Sequence, residues 1–364
     1  MHSHSGQFCP GHAKDTLEEV IQLAVAAGFK TIGLTEHMPR YAKEDLYPEE
    51  LKTDPEVSSP SFPLHQAYLV EASRLQAKYA SQIHILIAFE GEFIRPSYGP
   101  AILSLADPLV YPQVDYFIGS LHHVGGLPID YDRDTYLRAR SSYVASLASA
   151  DPNPDPARDP EDLFHERYYD EQHDMLLALR PRVVGHFDLI RLLSDDPARD
   201  PSLRPGIWSR ILRNLRVAVQ AGAWLECNTS ALRKGLAEPY PAAPVARAYL
   251  EMGGRFTFSD DSHGIAQIAT NYPRGLDYLE SLGVTEVWTL ERSPHPGVAA
   301  AAADSEAAPV GAKAELKEKS VPLSLGGANR SVDVGVKAGR FDRFIGVGVA
   351  ATLGGKIGPA RSSA

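Results

Sequence analysis

Hydrophobic and polar positions along the chain alternate between helical and strand-like texture. Residues 15–27 read as a helix: Asp15 or Thr16 can cap it, Glu18 and Glu19 lie in its first turn, and Gly28 stops it. A short buried strand follows over 29–35 and ends in Glu36-His37. The same alternation continues with a helix over 64–80, a strongly apolar strand over 83–93 carrying Glu90 and Glu92, and a strand over 114–120 ending at Leu121-His122-His123. Further on are helices near 134–149 and over 163–180, a strand over 182–186, a helix over 206–221 and a strand over 223–228. A helix over 241–252, a strand over 255–259, a helix near 274–282 and a strand-like Glu286-Val287-Trp288 close the series. About seven strand-helix alternations of this kind predict an α/β fold, most simply a closed parallel barrel.

Between these elements, residues 41–63 are rich in Pro, Glu and Ser and read as an exposed excursion, and 151–156 reads as a solvated loop. From 293 to 364 the texture changes to Ala-, Gly- and Ser-rich sequence. The expected organisation is therefore a barrel over 1–292 and a low-complexity, mostly disordered extension over 293–364, with a short element near 342–349.

Composition narrows the picture only in part. At 364 residues, 44% hydrophobic and 23% charged, the chain has ordinary globular proportions. No apolar run of about 18 residues predicts a membrane span, and no secretory signal is recognisable. Two cysteines make no disulfide framework, so a reducing, cytoplasmic setting is expected. A formal charge of -10 argues against nucleic acid as a general partner but not against an anionic substrate, because bound divalent metals reverse a local field.

Nearly every strand ends in His, Asp or Glu, and in barrels the strand C-termini build the active site. His2 and His4 share a face if residues 1–5 form a strand. Collected, the strand-end groups are His2, His4, His12, His37, Glu90, His122, His186, Asp261 and His263, and seven of the chain's 13 histidines are among them. Imidazoles gathered together without metal are poorly paired polar groups; with metal they suit Zn, Mn or Fe. Such a set is too large for one ion and sufficient for two or three. The first of these groups stands so near the start of the chain that its strand is expected to be very short or to lack an upstream segment.

These motifs resemble the PHP (polymerase and histidinol phosphatase) superfamily. His2-x-His4, Thr35-Glu36-His37, strand-borne Glu90, Ser120-Leu121-His122, Gly185-His186 and Asp261-x-His263 occur in that order. Leu34-Thr35-Glu36-His37-Met38-Pro39-Arg40, Phe89-Glu90-Gly91-Glu92, Gly185-His186-Phe187-Asp188 and Asn228-Thr229-Ser230-Ala231-Leu232-Arg233-Lys234 resemble its histidinol-phosphatase branch in the fungal form, over roughly residues 1–290. The resemblance implies a distorted seven-stranded (β/α)7 TIM-like barrel with two to three divalent ions at its mouth. It assigns His2, His4, Glu90 and Asp261 to one ion, His12, His37 and His263 to a second, and Glu90 with His122 and His186 to a third. Glu90, Asp261 and His263 are then the catalytic group. His123, Asp260 and Glu92 stand beside the assigned ligands, as a satisfied surface or supporting histidine, an off-face acid and a supporting acceptor.

The implied reaction is hydrolysis of L-histidinol phosphate in histidine biosynthesis, by in-line attack of a metal-activated hydroxide on phosphorus. Three divalent ions facing two carboxylates leave a local charge of roughly +4, which suits a phosphomonoester. Arg40, Arg191, Arg233 and Lys234 are the candidate phosphate partners, and Asp130 and Asp132 the candidate partners of the substrate amine. Competing readings are another phosphoesterase of the superfamily, acting on nucleotides or other phosphomonoesters, and a catalytically idle metal-binding protein.

Overall fold

The computed structural model describes residues 2–47, 62–150, 158–293 and 315–323. Helix α1 (Leu17–Ala27) carries a capping box between Thr16 and Glu19 and ends on Gly28, whose φ of 86° suits a residue without Cβ. Strand β1 (Thr31–His37) is followed by α2 (Phe62–Lys78), β2 (His84–Glu92), α3 (Tyr98–Leu105) and β3 (Tyr116–Ser120). A two-stranded ribbon, β4 (His123–Val124) and β5 (Leu127–Pro128), leads to α4 (Arg133–Ala150) and α5 (Pro160–Leu179). Then come β6 (Val183–Val184), α6 (Pro205–Gln220), β7 (Trp224–Asn228), α7 (Ser230–Arg233), α8 (Ala243–Glu251), β8 (Phe256–Ser259) and α9 (Tyr272–Ser281). Strands β9 (Glu286–Ser293) and β10 (Glu315–Pro322) complete the set.

Six strands form one parallel sheet in the order β1-β2-β3-β6-β7-β8, each pairing with the next in the series. The sheet curls into a half-barrel. Period-two alternation decides what each face carries. On β2, Ile85, Ile87 and Phe89 join the helical layer, whereas Leu86 and Ala88 enter a separate inner cluster with Tyr116, Ile118, Val183 and Trp224. Continuing the inner face upward places Glu90 and Glu92 above Ala88, and Glu226 above Trp224. The register pairs His37 with Glu90 and Glu92 with Ser120, so the strands' chemical ends lie level. Gly185 permits this at β6, because a Cβ there would collide with Ser120 Oγ.

Two expectations of the barrel change. The seventh strand does not join the sheet: β9 pairs antiparallel with β10. Together they cover the opposite, N-terminal end of the strands, where Leu290, Trp288 and Leu316 pack on the inner cluster. Glu318 ties Arg182 and Arg255, the residues preceding β6 and β8, at 2.6 and 2.9 Å. The packed unit thus runs to Leu323, past the boundary expected at 292; Leu323 is buried. Residues 2–5, expected as a strand, make only one bridge, Ser3 to Ser262. They lie across the gap between β8 and β1: His4 N donates to Ser262 O at 2.7 Å, and Thr35 N to Ser3 O at 3.1 Å.

Smaller differences have local causes. Helix α3 leaves little periodic signal in the sequence, since Tyr98–Leu105 spans only 8 residues. In the expected excursion 41–63, Asp45 and Tyr47 turn inward and are buried, because Asp45 binds Arg95 and accepts from Tyr98 Oη at 2.6 Å. The expected loop 151–156 and the element near 342–349 lie outside the described residues.

Candidate metal centre

All nine strand-end groups meet at the C-terminal rim of the sheet. His2 Nε2 stands 3.4 Å from Glu90 Oε2 and 3.6 Å from Asp261 Oδ1. His4 Nε2 stands 3.6 Å and 3.4 Å from the same two oxygens. His37 Nδ1 lies 2.9 Å from Glu90 Oε2, and His186 Nε2 lies 3.2 Å from Glu90 Oε1. His122 Nε2 is 2.9 Å from His186 Nε2 and 3.4 Å from Glu90 Oε1. Within 4.8 Å of mutual ligand-atom separation the groupings are His2-His4-Asp261, His4-His37-His263, Glu90-His122-His186 and His37-Glu90-Glu92. Glu90 is therefore central among these contacts. The second group includes His4, and His12, expected there, stands beside it, its ring 4.8 Å from His263 and 5.3 Å from His37.

The donor set fits divalent cations. His2 Nε2 and both ring nitrogens of His4 and His37 are buried without a partner in hydrogen-bonding geometry, although carboxylate oxygens stand nearby. They converge on shared points rather than on each other, as ligands do. The backbone supports this. His263 Nδ1 donates to Asp261 O at 3.0 Å, leaving Nε2 without a proton in the neutral ring. Asp261 adopts φ 49°, a left-handed conformation that Asp tolerates better than most residues, and this turns its carboxylate toward His2 and His4. Burial disfavours charge on Glu90, yet His2 and His122 hold its carboxyl well below the usual range.

The three ambiguous neighbours resolve by geometry. Asp260 accepts from Ser262 N and Ala269 N, so it stabilises the turn. Both Glu92 oxygens accept from Arg40 Nη2, at 2.6 and 2.8 Å, and Glu92 touches His37 at 2.8 Å. His123 is buried against Tyr47, not on the surface, and burial pushes its pKa down to about 4. Glu36, beside His37 in sequence, faces the helical layer; Ser5 N and Oγ donate to it at 2.9 and 2.6 Å.

The cationic candidates divide sharply. Arg40 is buried on Glu92 with its guanidinium 4.6 Å from the Tyr47 ring centre, so it is not offered to phosphate. Arg191 binds Asp188 at 2.9 Å and the carbonyls of Glu238 and Pro239, and is absent from the site wall. Arg233 lines the cavity but donates to Asp260 O and Asp261 O at 3.0 and 2.9 Å, bracing the turn that carries Asp261. Lys234 lines the cavity and is exposed. Asp132 accepts from Thr135 N at 2.7 Å at the start of α4, so it caps a helix; Asp130 lines the cavity.

That cavity, about 420 Å³, is walled by His12, His37, Glu90, His122, His186, Asp261 and His263, and on another side by Tyr47 and Tyr131, whose rings stack at 6.0 Å. Glu226 is the residue that sequence reasoning missed. It is fully buried, accepts from His2 Nδ1 at 2.8 Å and from His186 N at 3.0 Å. The available signal was a carboxylate inside an otherwise buried strand, an expensive placement without a role.

The chain is similar to known proteins over most of its length. The PHP domain family matches residues 1–230. A Schizosaccharomyces pombe protein named "Probable histidinol-phosphatase" is 40% identical over 294 residues, covering 80% of this chain and 89% of that relative. The Saccharomyces cerevisiae protein named "Histidinol-phosphatase" is 31% identical over 323 residues, covering 81% and 92%. A crystal structure of histidinol phosphate phosphatase from Lactococcus lactis, complexed with Zn, L-histidinol and phosphate, shares the fold with a TM-score of 0.56 and 17% identity, over 79% of this chain and 94% of that one. With the family match and both fungal relatives spanning most of its length, the chain belongs to the PHP domain family, in the branch of the fungal histidinol-phosphatases.

Proposed function

We propose that the protein is a metal-dependent phosphatase that hydrolyses L-histidinol phosphate to L-histidinol and phosphate. The observation carrying this is the convergence of seven imidazoles with Glu90 and Asp261 at one rim, five of the seven lining its cavity, in a chain whose fungal relatives bear the histidinol-phosphatase name. Two to three divalent ions, Zn, Mn or Fe, fit the donors: His2, His4 and Asp261 for one, His37 and His263 with His4 or His12 for another, and His122 and His186 for a third, with Glu90 shared. When bound, such ions supply positive charge to the phosphoryl oxygens and acidify water.

The remaining steps belong to the chain's own residues. Glu90 draws the ligand groups together and Asp261 faces His2 and His4, so both carboxylates, with His263, set where phosphate sits. Lys234 offers an ammonium to the non-bridging oxygens, and Arg233 holds the Asp261 turn rigid behind it. Tyr47 and Tyr131 present aromatic surface suited to an imidazole ring, and Asp130 an acceptor for the substrate amine. In the same reading residues 2–5 act as a short seventh stave that closes the half-barrel. A small phosphomonoester, not nucleic acid, suits the acidic chain, and a cytoplasmic location suits the reaction. Among the described residues no helix is long and apolar enough to cross a membrane.

Phosphate release from L-histidinol phosphate and from a nucleotide panel, before and after exhaustive chelation and after return of Zn, Mn or Fe, tests the proposal. Turnover specific to histidinol phosphate, lost with the metal and restored by it, is the expected result. Equal turnover of nucleotides favours a different phosphoesterase, and bound metal without turnover an idle metal protein. Full activity after complete metal removal overturns the metal-dependent mechanism.

A further inference from the structure

We infer that Glu226 is a positioning residue: it fixes the single proton of neutral His2 on Nδ1 and thereby makes His2 Nε2 a metal ligand. The inference rests on the metal-dependent reading above. Glu226 projects from β7 on the same face as Trp224 and is fully buried. Its Oε1 faces His2 Nδ1 at 2.8 Å and Ser259 Oγ at 3.1 Å. Its Oε2 faces His186 N at 3.0 Å and Asn228 Nδ2 at 3.1 Å. The backbone N–H and the amide nitrogen can only donate, and a hydroxyl can donate, so all of these contacts are met by an acceptor-only group, an ionised carboxylate. His2 Nδ1 then carries its proton toward Oε1.

A metal takes only the nitrogen without a proton, and in neutral imidazole that is the other one. His2 Nε2 points at Glu90 Oε2, 3.4 Å away, and Asp261 Oδ1, 3.6 Å away. A lone pair between two carboxylates is unfavourable alone and favourable once a cation lies among them. The same carboxylate also holds the backbone of His186, a ligand candidate from another group. One side chain thus joins the segment bearing His2 to the loop bearing His186, across 224 and 40 positions of sequence.

Glu226→Gln tests this, since it keeps shape but replaces one acceptor by a donor. An amide turned to serve His2 places its NH2 against His186 N–H; turned the other way it places NH2 against His2 and favours the wrong tautomer. Isothermal titration of the metal-free protein with Zn²⁺, with metal content measured after dialysis, is expected to show one equivalent bound about 10- to 100-fold more weakly in the variant. The equivalent held through His37 and His263, which Glu226 does not touch, keeps its affinity, and the far-ultraviolet spectrum is unchanged. His2→Ala should weaken the same equivalent. In ¹⁵N spectra of the Zn-loaded wild type, His2 is expected to be protonated at Nδ1. Wild-type Zn affinity at every equivalent in a folded Glu226→Gln, or protonation of His2 at Nε2 in the wild type, overturns the inference. If the variant does not fold, the wild-type spectrum decides alone. A wild type that binds no Zn²⁺ at all defeats the functional reading itself.

Discussion

Arginine at the mouth of a phosphatase invites assignment to phosphate, and here the protein uses its own arginines otherwise. Arg40 neutralises Glu92 in a buried pair made through Nη2, Arg191 staples a carboxylate and two carbonyls, and Arg233 braces the Asp261 turn. Sequence position alone could not separate these roles from that of Lys234, because all four come soon after the end of a sheet strand. Burial separates them. Arg40→Ala is expected to leave Glu92 charged and buried beside His37, costing about 3–5 kcal/mol and lowering the thermal midpoint. Lys234→Ala should leave that midpoint almost unchanged and raise KM for L-histidinol phosphate about tenfold, one lost charge-assisted contact. Steady-state kinetics and thermal unfolding of both variants check the contrast. The candidate ligands were legible because a His or acid at a strand end is rarely placed there for packing. Glu226 was not, since its partner His2 is joined to it only through the closed fold.

At the scale of elements, apolar runs such as Ile85 to Phe89 read correctly as buried strands, and burial on both faces explains their lack of polar alternation. What alternation then settled was the division of one strand between two tasks: outward residues hold the helices, inward ones build a plug below and a site above. Helix α2 shows the limit of such reading. His65 looks like a surface residue of a charged helix but is buried among Tyr68, Phe89 and Tyr111, with both ring nitrogens unpartnered. Burial pushes its pKa from 6.5 down to about 4. Between those values the unfolded chain binds the proton and the folded protein refuses it, so stability falls as pH drops through that window. This one group should cost about 2 kcal/mol between pH 7 and pH 5. Urea unfolding at both pH values is expected to show a shallower loss in His65→Leu than in the wild type; equal slopes would assign the acid sensitivity elsewhere.

For the whole molecule, the six parallel strands separate chemistry from closure. The metal-binding groups occupy the C-terminal rim, and the β9–β10 ribbon seals the other end with Trp288, Leu290 and Leu316 on the inner cluster. Strand β10 lies in sequence that reads as low-complexity, because its alternating Leu316, Glu318 and Ser320 carry little hydrophobic signal without their partner strand. Truncation after Ser293 removes it, exposing the edge of β9 and the surface under buried Val321 and Leu323. A loss on the order of 3–5 kcal/mol in unfolding free energy is expected, with kcat at low temperature little changed because the rim is distant. Denaturant unfolding and kinetics of the truncated chain test both halves. The sequence by itself determined the strand and helix texture, the set of His, Glu and Asp residues that converge, and the family, since these depend on local period and on residue chemistry. Only the tertiary structure decided that six strands, not seven, form the sheet, that the last strand turns to the underside, and that Glu226 stands behind His2. Those outcomes depend on which faces meet after the chain closes, and pairing between residues hundreds of positions apart leaves no mark on local pattern.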